Sequence, residues 1–217
     1  MVMKLLNMMG LKEFKCYNGK IHVFSKLPEE GFYMFGDHVI LNKEYLREIE
    51  GKKIIFITRD PRDIVVASHF ATMKDKSQGV LPIKDKTTEE RITAFIEGTS
   101  VLMGGLANID HEFRSKLPWR NHEGVYPTTF EKIVGSRESR EQEIKNIAKH
   151  LDLKLTDKIL KDCVDNLVGS NELYSGQFRK GIIGDWKNYF TDDHKKLFKE
   201  VAGQLLIQEG YEKDLEW

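Results

Sequence analysis

Residues 53–68 read KIIFITRDPRDIVVAS, and this stretch decides the fold. Residues 53–58 are almost all apolar and β-branched, a pattern typical of a parallel strand that is covered on both faces. Pro61 follows in a short polar turn, and residues 63–73 carry apolar side chains at helical spacing. A strand, a short turn and a helix in this order form the geometry in which α/β folds bind phosphate.

The rest of the chain alternates between strand and helix patterns. Thr87 and Glu90 have the spacing of a capping box and predict a helix that begins there. Further predicted strands cover residues 20–24, 31–39 and 125–130, and further predicted helices cover residues 3–9, 42–50, 140–151, 160–164 and 192–208. Residues 169–184 are polar and contain glycine, which is typical of a loop. The alternation predicts one α/β domain over residues 1–217, with a central parallel β-sheet flanked by helices.

The charge balance limits the class of ligand. Lysine and arginine together number 34, aspartate and glutamate together number 34, and the formal net charge is 0. This balance does not support a broad basic surface for nucleic acid, so we expect no nucleic-acid partner. An anionic ligand must therefore be recognised by a few well-placed cations.

Cysteine usage and hydropathy favour a cytoplasmic protein. Cys16 and Cys163 are far apart and give neither a disulfide framework nor metal-ligand spacing, so we expect inert thiols and no metal. No apolar stretch approaches the roughly 18 residues that a membrane span needs. The apolar run within residues 1–10 is too short for a secretory signal, so we expect no membrane partner.

Arg59-Asp60-Pro61-Arg62-Asp63 is the first candidate site. Arg59 stands at the carboxyl end of the predicted strand, where open α/β sheets bind ligands. A guanidinium can meet two phosphate oxygens at once, and the following helix contributes its positive N-terminal end. The alternative is an ordinary solvated turn in which the two arginines pair with the two aspartates. The pentapeptide alone leaves both interpretations open.

Residues 178–190, FRKGIIGDWKNYF, form the second candidate site. Arg179 and Lys180 are adjacent cations, and Gly181 has no side chain to keep the backbone away from a phosphate. A surface loop with incidental charge is the alternative. Trp186, taken alone, indicates packing in the core and not a ligand stack.

Together these segments resemble the sulfotransferase family that uses 3′-phosphoadenosine 5′-phosphosulfate (PAPS). The resemblance rests on a strand ending in RDPRD, on F-E-K-I at residues 130–133, and on the loop F-R-K-G-x-x-G-D-W-K-N-x-F, in that order. It covers nearly the whole chain, and the loop is its most specific part. It implies a fold like that of the P-loop nucleoside triphosphatases, and it implies that the 3′-phosphate is held by Arg59, Arg179, Lys180 and Gly181.

Two further nucleotide contacts depart from the family pattern. The family carries a serine eight residues after the phosphate-binding arginine, but here that position is Ala67 and Ser68 follows it. A one-residue slip at the start of the helix would let the Ser68 hydroxyl make the contact. The tyrosine that the family places near the adenine is matched by Phe130, which keeps a ring for stacking and lacks the hydroxyl. Structural packing is the alternative role of Phe130.

The resemblance also implies a general base. The family carries a histidine a little over twenty residues before the phosphate-binding arginine, and His38 precedes Arg59 by a matching interval. Histidine suits proton removal near neutral pH, so His38 is the candidate base. A structural histidine is the alternative, and His22 and His69 are its rivals. The remaining histidines are expected on solvated faces: His111, His122, His150 and His194.

The family's P-K-S-G-T-T-W-like loop, which clasps the 5′-phosphosulfate, has no counterpart in these 217 residues. Residues 3–10 look like the helix that follows this loop, so the chain is expected to start just after it. Loss of the strand before the loop is expected to expose an edge or an apolar face of the sheet.

Two functions follow from the resemblance. The first is transfer of a sulfuryl group from PAPS to a hydroxyl or amine of a small-molecule acceptor, with PAPS as co-substrate. The second is an impaired relative or fragment that binds the nucleotide without turnover. A small-molecule kinase is disfavoured because the phosphate loop of that class and a magnesium-site pattern are both missing from the sequence.

Overall fold

The computed structural model describes residues 1–12, 47, 50–74, 83, 85–100, 105–168 and 181–217. The helices are α1 Val2–Met8, α2 Pro61–Lys74, α3 Thr88–Glu97, α4 Ile109–Arg114, α5 Phe130–Val134, α6 Arg137–His150, α7 Asp157–Asn166 and α8 Asp192–Gln208. The strands are β1 Ile54–Thr58 and β2 Val125–Thr129, and two 3₁₀ helices cover Leu117–Asn121 and Asp185–Asn188.

Most of the predicted elements that fall on described residues are confirmed. Helix α8 has the predicted bounds. The predicted capping box forms at the start of α3, where the Glu90 amide donates to Thr87 Oγ1 at 3.2 Å. The second strand ends one residue early, because the Thr129 hydroxyl caps α5 by accepting from the Lys132 amide at 3.2 Å. The predicted strands at 20–24 and 31–39, most of the predicted helix 42–50, and residues 169–180 of the predicted loop lie outside the described residues.

The chain divides into two compact units. The first contains Met1–Thr58 with Lys116–Gly181, and the second contains Arg59–Ser115 with Ile182–Trp217. Strands β1 and β2 belong to the first unit, and helices α2, α3, α4 and α8 belong to the second. One domain over residues 1–217 stays a prediction.

In the first unit, β1 and β2 pair in parallel, with Ile54 opposite Val125 and Thr58 opposite Thr129. This pairing confirms the parallel sheet. Gly124 precedes β2 with φ +77°, and a Cβ there would lie 2.9 Å from the Lys52 carbonyl oxygen, so only glycine fits.

The expectation that β1 is covered on both faces is wrong at one position. Alternate strand residues share a face, so Ile55 and Ile57 point the same way. Ile55 packs against the core cluster, but Ile57 keeps 37% of its side chain exposed. The apolar face of β1 is therefore covered over only part of its length.

The core of the first unit forms where α1, α6 and α7 meet. Its buried members include Leu5, Ile144, Ile147 and Val164. Cys163 is also part of this core, and burial, followed by the charge of Asp162, raises the pKa of its thiol. A buried thiol with a raised pKa is a poor nucleophile, as expected for this cysteine.

One arginine, Arg140 on α6, closes the ends of two neighbouring helices. Its guanidinium donates to the carbonyl oxygens of Ile133, Val134 and Gly135 at 3.1 to 3.3 Å and to that of Val164 at 2.9 Å. Carbonyls at the end of a helix have no intrahelical partner, so this one side chain satisfies groups from both α5 and α7.

We expect Arg140→Met to lower the free energy of unfolding by about 2 kcal/mol, because several partly buried carbonyls lose a charged donor. Urea denaturation followed by circular dichroism measures the change. Arg137→Met is the matched control: Arg137 pairs with Asp165 with 56% of its side chain exposed, and such pairs contribute below about 1 kcal/mol. Equal losses in the two variants would contradict the capping role of Arg140.

A buried polar group lies behind the sheet of the first unit. The Tyr126 hydroxyl donates to Glu143 Oε1 at 3.0 Å, and Glu143 is 4% exposed. The His150 ring stacks at a tilt on Tyr126, and its Nε2 lies 3.0 Å from the Ile54 carbonyl oxygen. Burial and the bond to Glu143 raise the pKa of Tyr126 to about 12.

We expect a late tyrosine titration in the native protein. The folded-state pKa of Tyr126, about 12, lies above the ordinary tyrosine value of 10.0, so its contribution to stability is complete below pH 10.0 and is lost as the pH rises towards 12. Tyrosinate absorbance after a rapid pH jump should show a late-titrating phenol that Tyr126→Phe removes. If native Tyr126→Phe and the parent chain titrate alike, the hydrogen bond to Glu143 does not hold that proton.

The second unit is built by α2, α3, α4 and α8. Its buried side chains include Val65, Ile92, Ile96, Phe198 and Leu205. Asn108 caps α4 by accepting from the His111 amide at 2.8 Å. Helix α2, whose first turn contains part of the RDPRD segment, packs in this unit against α3 and α4.

The expectation for His194 is wrong. This side chain is 3% exposed. Its Nδ1 accepts from the Thr191 amide at 3.1 Å at the start of α8, and its Nε2 lies 3.1 Å from the Glu89 carbonyl oxygen. The ring serves as a structural bridge between the starts of α8 and α3. His111 is exposed, as expected.

Candidate functional site

The RDPRD segment forms the first turn of α2. Asp60 caps the helix: its Oδ1 accepts from the Arg62 amide at 2.9 Å, and its carbonyl accepts from the Ile64 amide at 3.0 Å. Pro61 stands at the first helical position, where its missing N–H costs nothing. The helix therefore begins at Pro61, two residues before the start that the apolar spacing of residues 63–73 predicts.

Asp63 joins the two candidate segments within the second unit. The carboxylate is buried at 1% exposure. Its Oδ2 accepts from Arg59 Nη2 at 3.1 Å and from the Gly184 amide at 2.9 Å, and its Oδ1 accepts from the Trp186 amide at 2.9 Å. One carboxylate thus fixes both the arginine and the turn of the glycine-containing loop.

Arg59 also contacts the loop directly. Its Nη2 donates to the Ile182 carbonyl oxygen at 2.8 Å. Ile182 follows the Arg179-Lys180-Gly181 tripeptide in the sequence. The Arg59 side chain keeps 23% of its exposure, so an anion can approach it from solvent.

The two arginines of the segment do pair with the two aspartates, but the turn is not solvated. Arg62 Nη2 donates to Asp60 Oδ2 at 2.7 Å, and Arg59 pairs with Asp63. Arg62 is 3% exposed and Asp60 is 6% exposed. Although burial opposes its charge, the hydrogen bonds to Asp60 and Glu212 raise the pKa of Arg62. Because Arg62 and Asp60 are buried, the alternative of a solvated turn is wrong.

Two glycines shape the described end of the loop. Gly181 has φ +64° and Gly184 has φ +73°, a region that favours glycine. The 3₁₀ helix Asp185–Asn188 follows and places Trp186 in the core at 5% exposure. The sequence prediction that Trp186 packs in the core is confirmed.

Ser68 lies half-buried on α2. Its carbonyl accepts from Thr72 Oγ1 at 3.0 Å. Helix α2 runs without interruption from Pro61 to Lys74, so Ser68 is turned about 100° around the axis from Ala67. Ala67, four residues after Asp63, shares the face of that carboxylate. A one-residue slip at the helix start is not seen, and a Ser68 contact with a phosphate stays a prediction.

The other predicted site residues are distributed as follows. Phe130 and Gly181 lie in the first unit, where Phe130 is half-buried at the start of α5, and Arg59 and Ser68 lie in the second. The structure thus brings Arg59 to the residue that follows Gly181. Three predicted residues lie outside the described ones: His38, Arg179 and Lys180.

His69, a rival base, has a structural environment. The ring is 3% exposed. Its Nδ1 accepts from Arg91 Nε at 3.0 Å, and Arg91 is itself buried. An imidazole nitrogen that accepts from a guanidinium does not serve as a base, so His69 is a poor candidate. His22, the other rival, lies outside the described residues.

Pairing of Arg59 with Asp63 was one alternative in the sequence analysis, but the long-range contacts that hold the site together were missed. The Asp63 carboxylate accepts from two loop amides more than 120 positions away. Glu212 and Trp217 contact Arg62 from about 150 residues away, and no local signal in the sequence indicates this.

The arrangement suits a phosphate. A guanidinium is a strong donor to phosphate oxygens, and here it is fixed by Asp63 and a backbone carbonyl beside the positive N-terminal end of α2. Within the part of the chain that the structure covers, no three His, Cys, Asp or Glu side chains form a metal-binding group. In that same part, no helix is both long and apolar enough to cross a membrane.

Comparison with curated proteins finds sulfotransferases. The chain is 24% identical over 170 residues to the 3-beta-hydroxysteroid sulfotransferase of Cavia porcellus, covering 70% of this chain and 56% of that protein. It is 27% identical over 174 residues to the Homo sapiens sulfotransferase 2A1, covering 70% of this chain and 57% of that protein. The chain thus spans a little over half the length of these relatives.

Solved structures give the same fold. The mouse sulfotransferase SULT7A1 complexed with PAP superposes with a TM-score of 0.68 at 19% identity, over 94% of this chain and 79% of that one. At this identity the likeness shows the fold alone, which is α/β with a parallel sheet flanked by helices. The sulfotransferase domain family matches residues 46–210. This match spans most of the chain, which therefore belongs to the sulfotransferase family.

Proposed function

We propose that Arg59 and the Arg179-Lys180-Gly181 tripeptide hold the 3′-phosphate of PAPS, and that the protein transfers the sulfuryl group to a small acceptor. The observation that carries the proposal is the 2.8 Å hydrogen bond from Arg59 Nη2 to the Ile182 carbonyl oxygen. This bond connects Arg59, which follows β1, to the residue that comes directly after Arg179-Lys180-Gly181 in the sequence. Membership of the family and a solved neighbour complexed with PAP support the choice of nucleotide.

The charges of the described residues fit a selective phosphate site. Asp63 is shared between Arg59 and two backbone amides, so it orients the guanidinium without enclosing it. A fixed guanidinium loses less entropy when an anion binds than a mobile one does. With a formal net charge of 0, the protein depends on such local cations to recognise an anion.

In the proposed reaction, PAPS supplies an activated sulfuryl group. The acceptor oxygen or nitrogen forms a bond to sulfur while the bond from sulfur to the 5′-phosphate oxygen breaks, and the acceptor proton passes to His38 as general base. The products are the sulfated acceptor and adenosine 3′,5′-bisphosphate (PAP). Neither a metal nor a covalent enzyme intermediate takes part in this proposal.

Nucleotide binding without transfer is the second candidate for these 217 residues. It is favoured by the sequence itself, which contains no P-K-S-G-T-T-W-like string for the 5′-phosphosulfate. The residues proposed to bind the 3′-phosphate are all present in the sequence without that string. The two candidates therefore share one binding site and differ in turnover.

Calorimetry with PAP, beside a transfer assay with radiolabelled PAPS, tests both candidates. Hydroxysteroids are the first acceptors to try, because a matched relative carries that name. Binding of PAP with sulfation of an acceptor supports transfer, and binding without sulfation of any acceptor supports the second candidate. If the protein does not prefer PAP to adenosine 5′-monophosphate, the 3′-phosphate site is wrong.

A further inference from the structure

The residues after α8 fold back over the second unit. We name residues 211–217 the C-terminal strap. Helix α8 ends at Gln208, Gly210 follows with φ +76°, and the Tyr211 amide donates to the Leu206 carbonyl at 2.9 Å. Leu215 packs directly on α8 at Gly203, where an added Cβ would lie 2.6 Å from Leu215 Cδ2. The strap therefore lies close against the helix.

The strap contacts Arg62 with two side chains. Glu212 Oε1 accepts from Arg62 Nη1 at 2.5 Å, and the Trp217 ring centre lies 4.5 Å from the guanidinium carbon of Arg62. Trp186 contacts the same guanidinium at 4.1 Å, with the two indoles nearly perpendicular at 84°. The guanidinium thus lies in a corner of two aromatic rings, an arrangement that is strongly attractive when water is excluded.

These contacts involve both the residue before Asp63 and the loop residue whose amide binds the Asp63 carboxylate. Arg62 immediately precedes Asp63 in the first turn of α2, and the amide of Trp186 donates to Asp63 Oδ1 at 2.9 Å. Trp217 touches both Arg62 and Trp186, so it links the helix side of Asp63 to the loop side. Asp63 in turn orients Arg59.

We propose that the C-terminal strap is a positioning element for the 3′-phosphate site, acting through Trp217 and Glu212 on Arg62. The inference rests on the proposed function, because it concerns the same site. The strap does not touch the ligand. It fixes the first turn of α2 against the Gly184–Trp186 turn, so that the Asp63 carboxylate holds Arg59 in its binding orientation.

The test compares the affinities for PAP and for adenosine 5′-monophosphate, which differ only in the 3′-phosphate. We expect Trp217→Leu to reduce the PAP preference about tenfold, since about 1.4 kcal/mol of lost preorganisation is a factor of ten. The affinity for the monophosphate should change less than about twofold. Trp217→Phe, which keeps an aromatic face over Arg62, should restore most of the preference.

Further variants separate positioning from general destabilisation. Trp119→Leu removes a buried indole in the first unit and should leave the PAP preference unchanged, measured well below its unfolding temperature. If Trp217→Leu does not fold, Glu212→Gln, which removes only the ion pair, should still lower the preference. Unchanged preference in both strap variants, or an equal fall in Trp119→Leu, overturns the inference. No PAP preference in the parent chain overturns the proposed function instead.

Discussion

Arg59→Met should weaken PAP binding about 100-fold and leave the affinity for adenosine 5′-monophosphate within about twofold. Methionine keeps much of the length of the side chain and removes the charged donors. Hydrogen bonds to charged groups contribute about 1.5–3 kcal/mol each, and a bidentate contact uses two of them. Calorimetry at one fixed salt concentration measures both affinities.

Two variants serve as controls for Arg59→Met. Arg59→Lys keeps the charge but not the planar fork, so it should fall between the parent chain and Arg59→Met. Arg114→Met removes an arginine of the same unit that pairs with Asp110 and Gln208, and it should leave PAP binding unchanged. Equal losses for PAP and the monophosphate in Arg59→Met would contradict the assignment of Arg59 to the 3′-phosphate.

Asp63→Asn should lower the free energy of unfolding by about 3 kcal/mol, because a buried charge pair loses one partner. The Asp63 oxygens accept from three donors: Arg59 Nη2, the Gly184 amide and the Trp186 amide. Asparagine offers one acceptor oxygen and one NH₂ group. In either orientation, the NH₂ group faces at least one of those donors.

Urea denaturation of Asp63→Asn measures this loss. Asp192→Asn is the control: Asp192 pairs with Lys195, has 97% of its side chain exposed, and should change the unfolding free energy far less than Asp63→Asn does. The two replacements are chemically identical, so a difference between them reports burial and hydrogen bonding. Similar small losses in both variants would show that Asp63 does not join the helix to the loop.

Local sequence patterns predicted much of the described fold. The apolar run at 53–58 predicted a strand because β-branched residues suit a parallel sheet, and the helical spacing of residues 63–73 predicted α2 except for its first two residues and its last. Helix α8 followed from its apolar spacing, and its bounds were correct. The sequence signals for these elements lie within short stretches of the chain, although β1 completes its hydrogen bonds with β2 about 70 residues away.

The parts that could not be predicted depend on long-range contacts. The hydrogen bonds that bury Asp63 under the Gly184–Trp186 turn join residues more than 120 positions apart. The buried state of His194 depends on its bond to the Glu89 carbonyl, which the α8 pattern does not reveal. Pairing of Arg59 with Asp63 was foreseen as one alternative, but its burial was not, because charge spacing alone does not indicate exposure.

We propose that Arg59 and Lys180 contact one phosphate, and a double-mutant cycle on PAP affinity is the test. Arg59→Met, Lys180→Met and the double variant are compared by calorimetry. Two cations on the same phosphate should be coupled by about 1 kcal/mol or more, so that the double variant departs from the sum of the single losses. Losses that add within about 0.3 kcal/mol would place the two cations at separate sites and contradict a shared phosphate.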